Sequence, residues 1–156
     1  MAAIDYTIHP GVGVGALRLG MSQDAVRALL GEPEDSESGD YGDGIETRDW
    51  EYDSVGLSLS FSADDDFLLG SIIVSDAHAT LVGVPLVGLA EDQLLSADFG
   101  ALGSPILDDE FDDYAKTYDW DEPNLSCWVD CGVVTSVTVM PRYDEAGDVP
   151  QWPDPV

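Results

Sequence analysis

The stretch that decides the fold reads Trp50-Glu-Tyr-Asp-Ser-Val-Gly-Leu-Ser-Leu-Ser-Phe61. Its first part alternates an aromatic residue with a carboxylate, and its second part alternates leucine or phenylalanine with serine. A period of two is typical of a β-strand that buries one face only. A turn at Val55-Gly56 would join the two runs. The stretch therefore predicts a β-hairpin with one apolar face and one polar face.

The same pattern recurs further along the chain at one constant offset. Trp50 corresponds to Tyr118, and the residues that follow each of them stay in register. A third alternating run follows each hairpin, at 69–75 and at 133–140. Because the two blocks match in order and spacing, they predict a duplicated unit with a joined antiparallel sheet.

A helix signal precedes each hairpin. Ser22 is a good N-cap for a helix over 23–30, and Gly31 would end that helix. In the second unit a helix is expected to begin after Ala90 and to end near Gly103. Each hairpin is therefore expected to have its own preceding helix.

The predicted fold class is α+β: a tandem repeat of a helix plus a three- or four-strand antiparallel meander, with the helices on one face of a joined antiparallel sheet. The predicted divisions are 1–79 for the first repeat, 80–140 for the second, and 141–156 for a proline-rich C-terminal arm. The polar stretch 34–45 shows no periodicity and is predicted to be a loop. The glycine-rich run 11–15 is predicted to be a flexible entry into the first repeat.

The charge of the chain excludes two classes of partner. The sequence holds 32 acidic residues against 5 lysines and arginines, a net charge of −27. Nucleic acids and anionic membranes are bound through lysine and arginine, so neither is expected as a partner. Two compatible interpretations of the acidity remain: adaptation of the surface to high salt, and steering of a basic protein partner.

The expected compartment is the cytoplasm. No apolar run approaches the ~20 residues that a membrane span needs, and the first residues lack the basic and apolar regions of a signal peptide. The two cysteines, Cys127 and Cys131, are expected to be reduced thiols, because four positions along one strand separate them too widely for a disulfide. A turn at 129–130 would instead let them face each other.

The alternation also predicts which residues point to the helices. They are Trp50, Tyr52, Leu57, Leu59, Phe61, Ile72, Val74, Tyr118, Trp120, Leu125, Cys127, Val129, Val137 and Val139. Their neighbours form the opposite face, from which we predict these partner-binding residues: Asp49, Glu51, Ser58, Ser60, Ile73, Ser126, Trp128 and Asp130. A large aromatic anchor, Trp128, with a polar rim suits a protein ligand. The alternative is that the hydroxyls simply solvate the outer face of the sheet, and a register error of one residue would exchange the faces.

The densest acidic cluster completes the predicted partner-binding set. It comprises Asp108, Asp109, Glu110, Asp112, Asp113 and Tyr114. As a calcium loop it is poor, because its sixth position is Asp113 rather than glycine and its twelfth is Asp119 rather than glutamate. A solvated acidic loop and a contact with a basic partner are the other two interpretations, and Phe111 would add apolar area to such a contact.

The order of motifs resembles a known group of folds. It runs Leu19-Gly-Met-Ser22, Gly31-x-Pro33, Trp50-x-Tyr52, Gly56-Leu-x-Leu-x-Phe61 and Ile72-x-Val74. This order resembles the BamE-like and beta-lactamase-inhibitory-protein (BLIP)-like proteins and, doubled, the tandem arrangement of the latter. The resemblance implies a sheet whose concave side grips a protein partner. Among small cytoplasmic proteins of this fold, it implies an immunity-type protein that neutralises a toxin.

The sequence offers no catalytic motif. No serine, histidine and aspartate grouping, cysteine and histidine pairing or metal motif stands out, so no catalytic residue, metal or cofactor is predicted. The predicted function is a non-catalytic protein-binding module, an immunity or inhibitor protein that binds and occludes a basic toxin or enzyme through the exposed sheet face and acidic loops. The alternatives are a salt-adapted acidic domain with a structural or ligand-binding role, and an acidic mimic of nucleic acid.

Overall fold

The computed structural model describes residues 5–40, 42, 44–111, 114–120, 124–143 and 150–152. The strands are β1 (Ile8–His9), β2 (Gly13–Val14), β3 (Leu17–Arg18), β4 (Asp35–Gly39), β5 (Thr47–Tyr52), β6 (Leu57–Ser62), β7 (Leu69–Val74), β8 (Thr80–Leu81), β9 (Val84–Pro85), β10 (Ile106–Glu110), β11 (Ala115–Trp120), β12 (Leu125–Asp130), β13 (Val133–Val139), β14 (Arg142–Tyr143) and β15 (Pro150–Gln151). The helices are α1 (Gln23–Leu30) and α2 (Glu91–Ser96), with 3₁₀ turns at Asp53–Val55, Ala63–Asp65 and Gly100–Leu102.

Eight of these strands form one antiparallel sheet in the order β10-β11-β12-β13-β7-β6-β5-β4. We call β4–β7 the first half and β10–β13 the second half of this main sheet. The halves meet where β13 pairs with β7, with Val137 opposite Val74 and Val139 opposite Ile72. Because all four of these side chains are buried, the core is continuous across the junction.

The predicted fold class, an α+β tandem repeat of a helix plus a meander, was wrong. The described chain is 46% strand and 17% helix, and most of the strand belongs to one eight-stranded antiparallel sheet. The two helices have eight and six residues. The glycine-rich run, predicted to be flexible, contributes to the three-stranded sheet β1-β2-β3, in which Ile8, Val14 and Leu17 are buried. The predicted divisions 1–79, 80–140 and 141–156 stay a prediction.

One edge of the main sheet comes from the segment predicted to be a loop, and the other from a segment for which no strand was predicted. Residues 35–39 form β4, which pairs with β5, and residues 106–110 form β10, which pairs with β11. All ten residues are exposed. An edge strand that is open on both faces has no reason to alternate apolar and polar residues, so periodicity could not reveal it.

The predicted strand register is confirmed. The fourteen side chains expected to point to the helices are all at most 6% exposed. They share one core with Val26 of α1 and Leu94 of α2, and the Tyr52 hydroxyl donates to the Gly31 carbonyl at the end of α1 (2.9 Å). One face of the sheet is therefore packed against both helices.

The helix that follows Ser22 has its predicted bounds. The Ser22 hydroxyl accepts a hydrogen bond from the Ala25 amide (3.1 Å) and caps α1. Helix α2 stops at Ser96, earlier than predicted, and Phe99 leaves the helical path to pack edge-on against Trp120 at 5.0 Å. Within the described residues, no helix combines the length and the apolar character that crossing a membrane requires.

Both cysteines are thiols, one buried and one exposed. The turn between β12 and β13 lies at Cys131-Gly132, where both residues have positive φ, 52° and 78°. Two such residues form the primed hairpin turn that matches the twist of paired strands. The alternative turn at 129–130 is therefore wrong, since both of those residues belong to β12.

Candidate functional site: the open face of the main sheet

The face of the main sheet opposite the core carries a row of side chains, all polar except Ile73, that crosses six strands. We call this face the open face. Directly opposite one another, from β11 to β5, lie Asp119, Ser126, Thr138, Ile73, Ser58 and Glu51. At about 4.8 Å per strand, the row spans roughly 24 Å. Carboxylates stand at both ends, each with a serine as its inner neighbour.

Serine hydroxyls on β6 hold the carboxylates of β5 in place. Ser58 Oγ donates to Glu51 Oε1 (2.8 Å), and Ser60 Oγ donates to Asp49 Oδ1 (2.6 Å). These four side chains are neither fully buried nor fully exposed. A carboxylate whose orientation is already set loses less conformational entropy when a partner binds it.

The outer end of the first half concentrates like charges. Asp35 and Glu37 of β4 lie directly opposite Glu51 and Asp49 of β5, so all four share the open face. Neighbours along each strand are roughly 7 Å apart, and like charges directly opposite each other are destabilising. We call these four carboxylates the acidic grid.

The second half of the open face carries an exposed aromatic pair. The Trp128 ring stacks on the Phe111 ring, with centroids 5.0 Å apart and planes inclined by 27°. Trp128 is 37% exposed and Phe111 55% exposed. Tyr114 is also exposed and lies at the same end of β12. Its backbone carbonyl accepts a hydrogen bond from the Cys131 amide (2.7 Å). Exposed, rigid aromatic rings are typical anchors of protein interfaces.

The edge strand next to this aromatic pair is apolar at one end and acidic at the other. Ile106 is 67% exposed and Leu107 44% exposed, and Asp108, Asp109 and Glu110 follow them. β10 ends the sheet, so its outer backbone edge is not hydrogen-bonded to another strand of that sheet. Such an edge can receive a strand of a partner chain.

Three of the five lysine and arginine side chains of the chain are engaged on the helix side of the sheet. Lys116 Nζ bonds Glu91 Oε2 (2.9 Å), and Arg27 lies over the Trp50 ring at 4.6 Å while pairing with Glu32 (3.3 Å). Arg48 lies over the Phe67 ring at 4.0 Å. These three cations therefore contact carboxylates and aromatic rings away from the open face.

The predicted partner-binding residues fall into two groups. Half-buried on the open face lie Asp49, Glu51, Ser58, Ser60, Ile73 and Ser126, and exposed at the other end lie Asp108, Asp109, Glu110, Tyr114, Trp128 and Asp130. Asp112 and Asp113 lie outside the described residues. Trp128 and Glu51 are four strand spacings apart, roughly 19 Å, so the two groups could contact a protein together but not one small molecule.

Sequence reasoning missed the edge strands. Asp35 and Glu37 were hidden in a predicted loop, and Ile106 and Leu107 were not singled out. Phe111 was noted for its apolar area, but its stacking on Trp128 was not foreseen. The one available signal was the adjacent isoleucine and leucine before an acidic run, since neighbouring large apolar side chains can form an exposed apolar patch.

Within the described residues, no group of three or more histidine, cysteine, aspartate or glutamate side chains is placed to hold a metal ion. Comparisons of the chain with protein-family models, curated proteins and solved structures found no match.

Proposed function

We propose that the protein is a non-catalytic protein-binding module, an immunity or inhibitor protein that occludes a basic toxin or enzyme with its open face. The exposed Phe111–Trp128 stack is the observation that carries this proposal. An aromatic stack at the surface of a chain this rich in charge has no role in the core, and it offers the apolar area that a protein contact needs.

The charge distribution supports a basic partner. The net charge is −27, and the acidic grid lies on the same face as the aromatic pair. A field of this sign accelerates encounter with a positively charged surface and repels acidic proteins and nucleic acids. The acidic residues of β10 would lie at the rim of the same contact.

The proposal includes the cytoplasm as compartment and a BLIP-like mode of binding. Thiol cysteines agree with a reducing compartment. The sequence resemblance to BLIP-like proteins points to binding through one face of a sheet. No catalytic role and no cofactor form part of the proposal.

The direct test uses the protein encoded by the gene next to this one, since immunity proteins are typically encoded beside their toxins. Its affinity for the full chain is measured by calorimetry, together with its toxic or enzymatic activity. We expect Trp128→Ala to weaken binding by about 30-fold or more, the range of an interface hot spot. The control, Leu95→Ala, removes a similarly exposed apolar side chain (41%) from α2, and we expect it to change the affinity less than about twofold. Equal losses for both variants, or binding that leaves the activity intact, would contradict the proposal.

The salt-adaptation alternative predicts a different dependence of stability and binding on salt concentration. If the acidity serves only to suit high salt, the melting temperature should rise steeply up to molar salt and no protein should bind. If it steers a partner, the protein should already be folded at physiological salt and the association rate should fall as salt rises.

The nucleic-acid-mimic alternative is favoured by one observation, the acidic grid. Its carboxylates are roughly 7 Å apart along each strand, close to the spacing expected of a phosphate mimic. In this case the partner is a nuclease or another DNA-binding protein. Duplex DNA would then compete with the protein for that partner. A variant in which Asp35 and Glu37 are neutralised would be displaced from the partner by less DNA.

A further inference from the structure

A small polar pocket opens on the first half of the open face, beside the acidic grid. Its volume is about 150 Å³, and β5, β6, β7 and the turn after β6 surround it. The polar side chains that line it are Thr47, Asp49, Ser60, Ser62, Asp65 and Ser71. One water molecule occupies about 30 Å³ in the liquid, so the pocket can receive the end of a side chain.

Asp65 is one of the two carboxylates that line the pocket. It ends the 3₁₀ turn Ala63–Asp65 and lies beside Gly70, where an added Cβ would be 3.7 Å from Asp65 Oδ2. Partial burial raises the pKa of Asp65, and the neighbouring carboxylates of Asp64 and Asp66 raise it further. A cation in the pocket would compensate both effects and lower this pKa.

No cation of the described chain fills this role. The ion pairs found among the described residues join Arg27, Arg48, His78 and Lys116 to other carboxylates, not to Asp65. The hydroxyl groups of Thr47, Ser60, Ser62 and Ser71 add hydrogen-bond acceptors to the pocket wall, and Phe61 and Gly70 complete its lining. A partly desolvated carboxylate surrounded by acceptors favours a group with several N–H donors.

The number of acids decides between a metal ion and an organic cation. The pocket has two lining carboxylates, and no set of three metal-ligating side chains occurs anywhere in the described residues. Calcium takes six to eight oxygen ligands, often from several carboxylates. Ammonium and guanidinium groups need only a few acceptors and bind carboxylates through charge-assisted hydrogen bonds.

We propose that this pocket binds the cationic head group of a lysine or arginine side chain presented by the protein partner. The inference rests on the proposed function, because it assigns one contact of the partner to a defined place on the open face. The basic side chain would enter between Asp49 and Asp65, while the aromatic pair holds the partner at the other half of the sheet.

The test needs no protein partner. N-acetyl-arginine methylamide and N-acetyl-lysine methylamide are titrated separately at millimolar concentration into the full chain, and the amide signals of Gly70 and Ser71 are followed by NMR. N-acetyl-citrulline methylamide, the neutral isostere of the arginine probe, is the control ligand. We expect saturable shifts at these two amides with at least one cationic probe and none with citrulline. Whichever probe binds more tightly identifies the basic side chain.

Two matched variants locate the site. Asp65→Asn removes the pocket charge, and Asp92→Asn removes one charge from the exposed start of α2. We expect Asp65→Asn to weaken binding of the cationic probe at least tenfold and Asp92→Asn to leave it within about twofold. Asp49→Asn provides a second pocket variant, and dispersed amide spectra verify the folding of each. Equal effects of Asp65→Asn and Asp92→Asn, shifts spread evenly over acidic residues, or shifts with citrulline would overturn the inference.

The outcome is independent of the test of the proposed function. Loss of probe binding in Asp65→Asn supports the pocket even if the neighbouring gene product does not bind. Conversely, a partner whose binding needs Trp128 but whose affinity is unchanged by Asp65→Asn would overturn the pocket and leave the open-face proposal standing.

Discussion

The first half of the main sheet ends in the strand Asp35-Ser-Glu-Ser-Gly39, whereas the second half ends in Ile106-Leu-Asp-Asp-Glu110. Both are edge strands of the described main sheet, every residue in them is exposed, and each pairs with one neighbouring strand of that sheet. The first carries carboxylates and small residues, which discourage pairing with other chains. The second adds two large apolar side chains at its start, which invite a contact.

The open faces of the two halves differ in the same way as their edge strands: the first is polar and the second has exposed apolar side chains. In the first half, serines hold Asp49 and Glu51 in place beside a polar pocket. In the second half, Trp128 stacks on Phe111 and both remain exposed. Behind these surfaces, both halves pack buried aromatic residues against a preceding helix or its flanking turn.

This difference suggests a division of labour within one rigid sheet. A common core holds both surfaces in a constant relative position, so each can be chemically specialised without losing its alignment to the other. Exposed aromatic rings contribute most to affinity, while oriented charges contribute mainly to the rate and selectivity of encounter.

The largest effect should come from breaking the shared core. Leu59→Ala in the first half and Leu125→Ala in the second remove side chains that are at most 1% exposed. We expect each to lower the free energy of unfolding by about 3 kcal/mol through lost burial and a cavity. Urea titrations followed by tryptophan fluorescence and by far-ultraviolet circular dichroism should show one coincident transition. Two separate transitions, each shifted by one variant only, would show that the halves fold independently.

The next largest effect is on the kinetics of partner binding, in which we expect the two surfaces to control different rate constants. We expect Trp128→Ala to cost about 2 kcal/mol, mostly through faster dissociation. Glu51→Gln keeps the shape of the side chain and should act mainly on the association rate and its salt dependence. Surface plasmon resonance at two salt concentrations measures both rates. The division of labour fails if the two variants change the same rate constant.

A smaller effect concerns the helix caps. Ser22→Ala should cost about 1 kcal/mol, because the Ala25 amide loses its acceptor. Ala90 stands at the start of α2 with the same extended backbone as Ser22 but has no side-chain acceptor. We therefore expect Ala90→Ser to stabilise the protein by about 0.5 kcal/mol, measured by urea unfolding. Ala97→Ser, just past the end of α2, is the control and should be nearly neutral. A destabilising Ala90→Ser would mean that Asp92 Oδ1, which accepts from the Gln93 amide (3.0 Å), is already the better acceptor for that amide.

The smallest effect on stability comes from the ionisation of Tyr118, which occurs only at alkaline pH. Burial raises the pKa of Tyr118 to about 12, and the adjacent Glu91 carboxylate adds to the effect. Since this folded-state pKa lies above the ordinary value of 10.0, the stability it contributes is complete below about pH 10 and is lost as pH rises towards about 12. In a pH titration followed by phenolate absorbance, the variant Tyr118→Phe should lack the component with the highest pKa. Tyr52→Phe serves as the comparison, because burial also raises the pKa of Tyr52, but Tyr52 donates to a neutral carbonyl. Retention of the highest component in Tyr118→Phe would contradict the assignment.

The central strands could be predicted because burial on one face leaves a period of two in the sequence. Leu57 to Phe61 and Leu125 to Val129 were placed on the correct face by this period alone. The cap at Ser22 and the stop at Gly31 marked α1 in the same local way. The fold class was wrong because α2 is short and strands formed where no alternation predicted them, at both edges and in the glycine-rich run.

Part of the candidate site follows from the strand register, and part depends on contacts that the register does not determine. The register placed Asp49, Ser60 and Trp128 on the open face. It could not show that Asp35 and Glu37 would join the β5 carboxylates, that Phe111 would stack on Trp128, or that Asp65 would lie beside Gly70. In each of these contacts one partner lies outside the alternating strands: in β4, at Phe111 or in the turn Ala63–Asp65.

The sequence by itself determined which side chains of the central strands are buried and the charge of the whole molecule, because alternation and composition are local or additive properties. Only the tertiary structure decided which strands lie at the edges, which carboxylates stand next to each other and where the exposed aromatic rings meet. These features depend on pairing between distant segments. Hydrogen bonds between backbones make that pairing, and they are the same for almost every sequence.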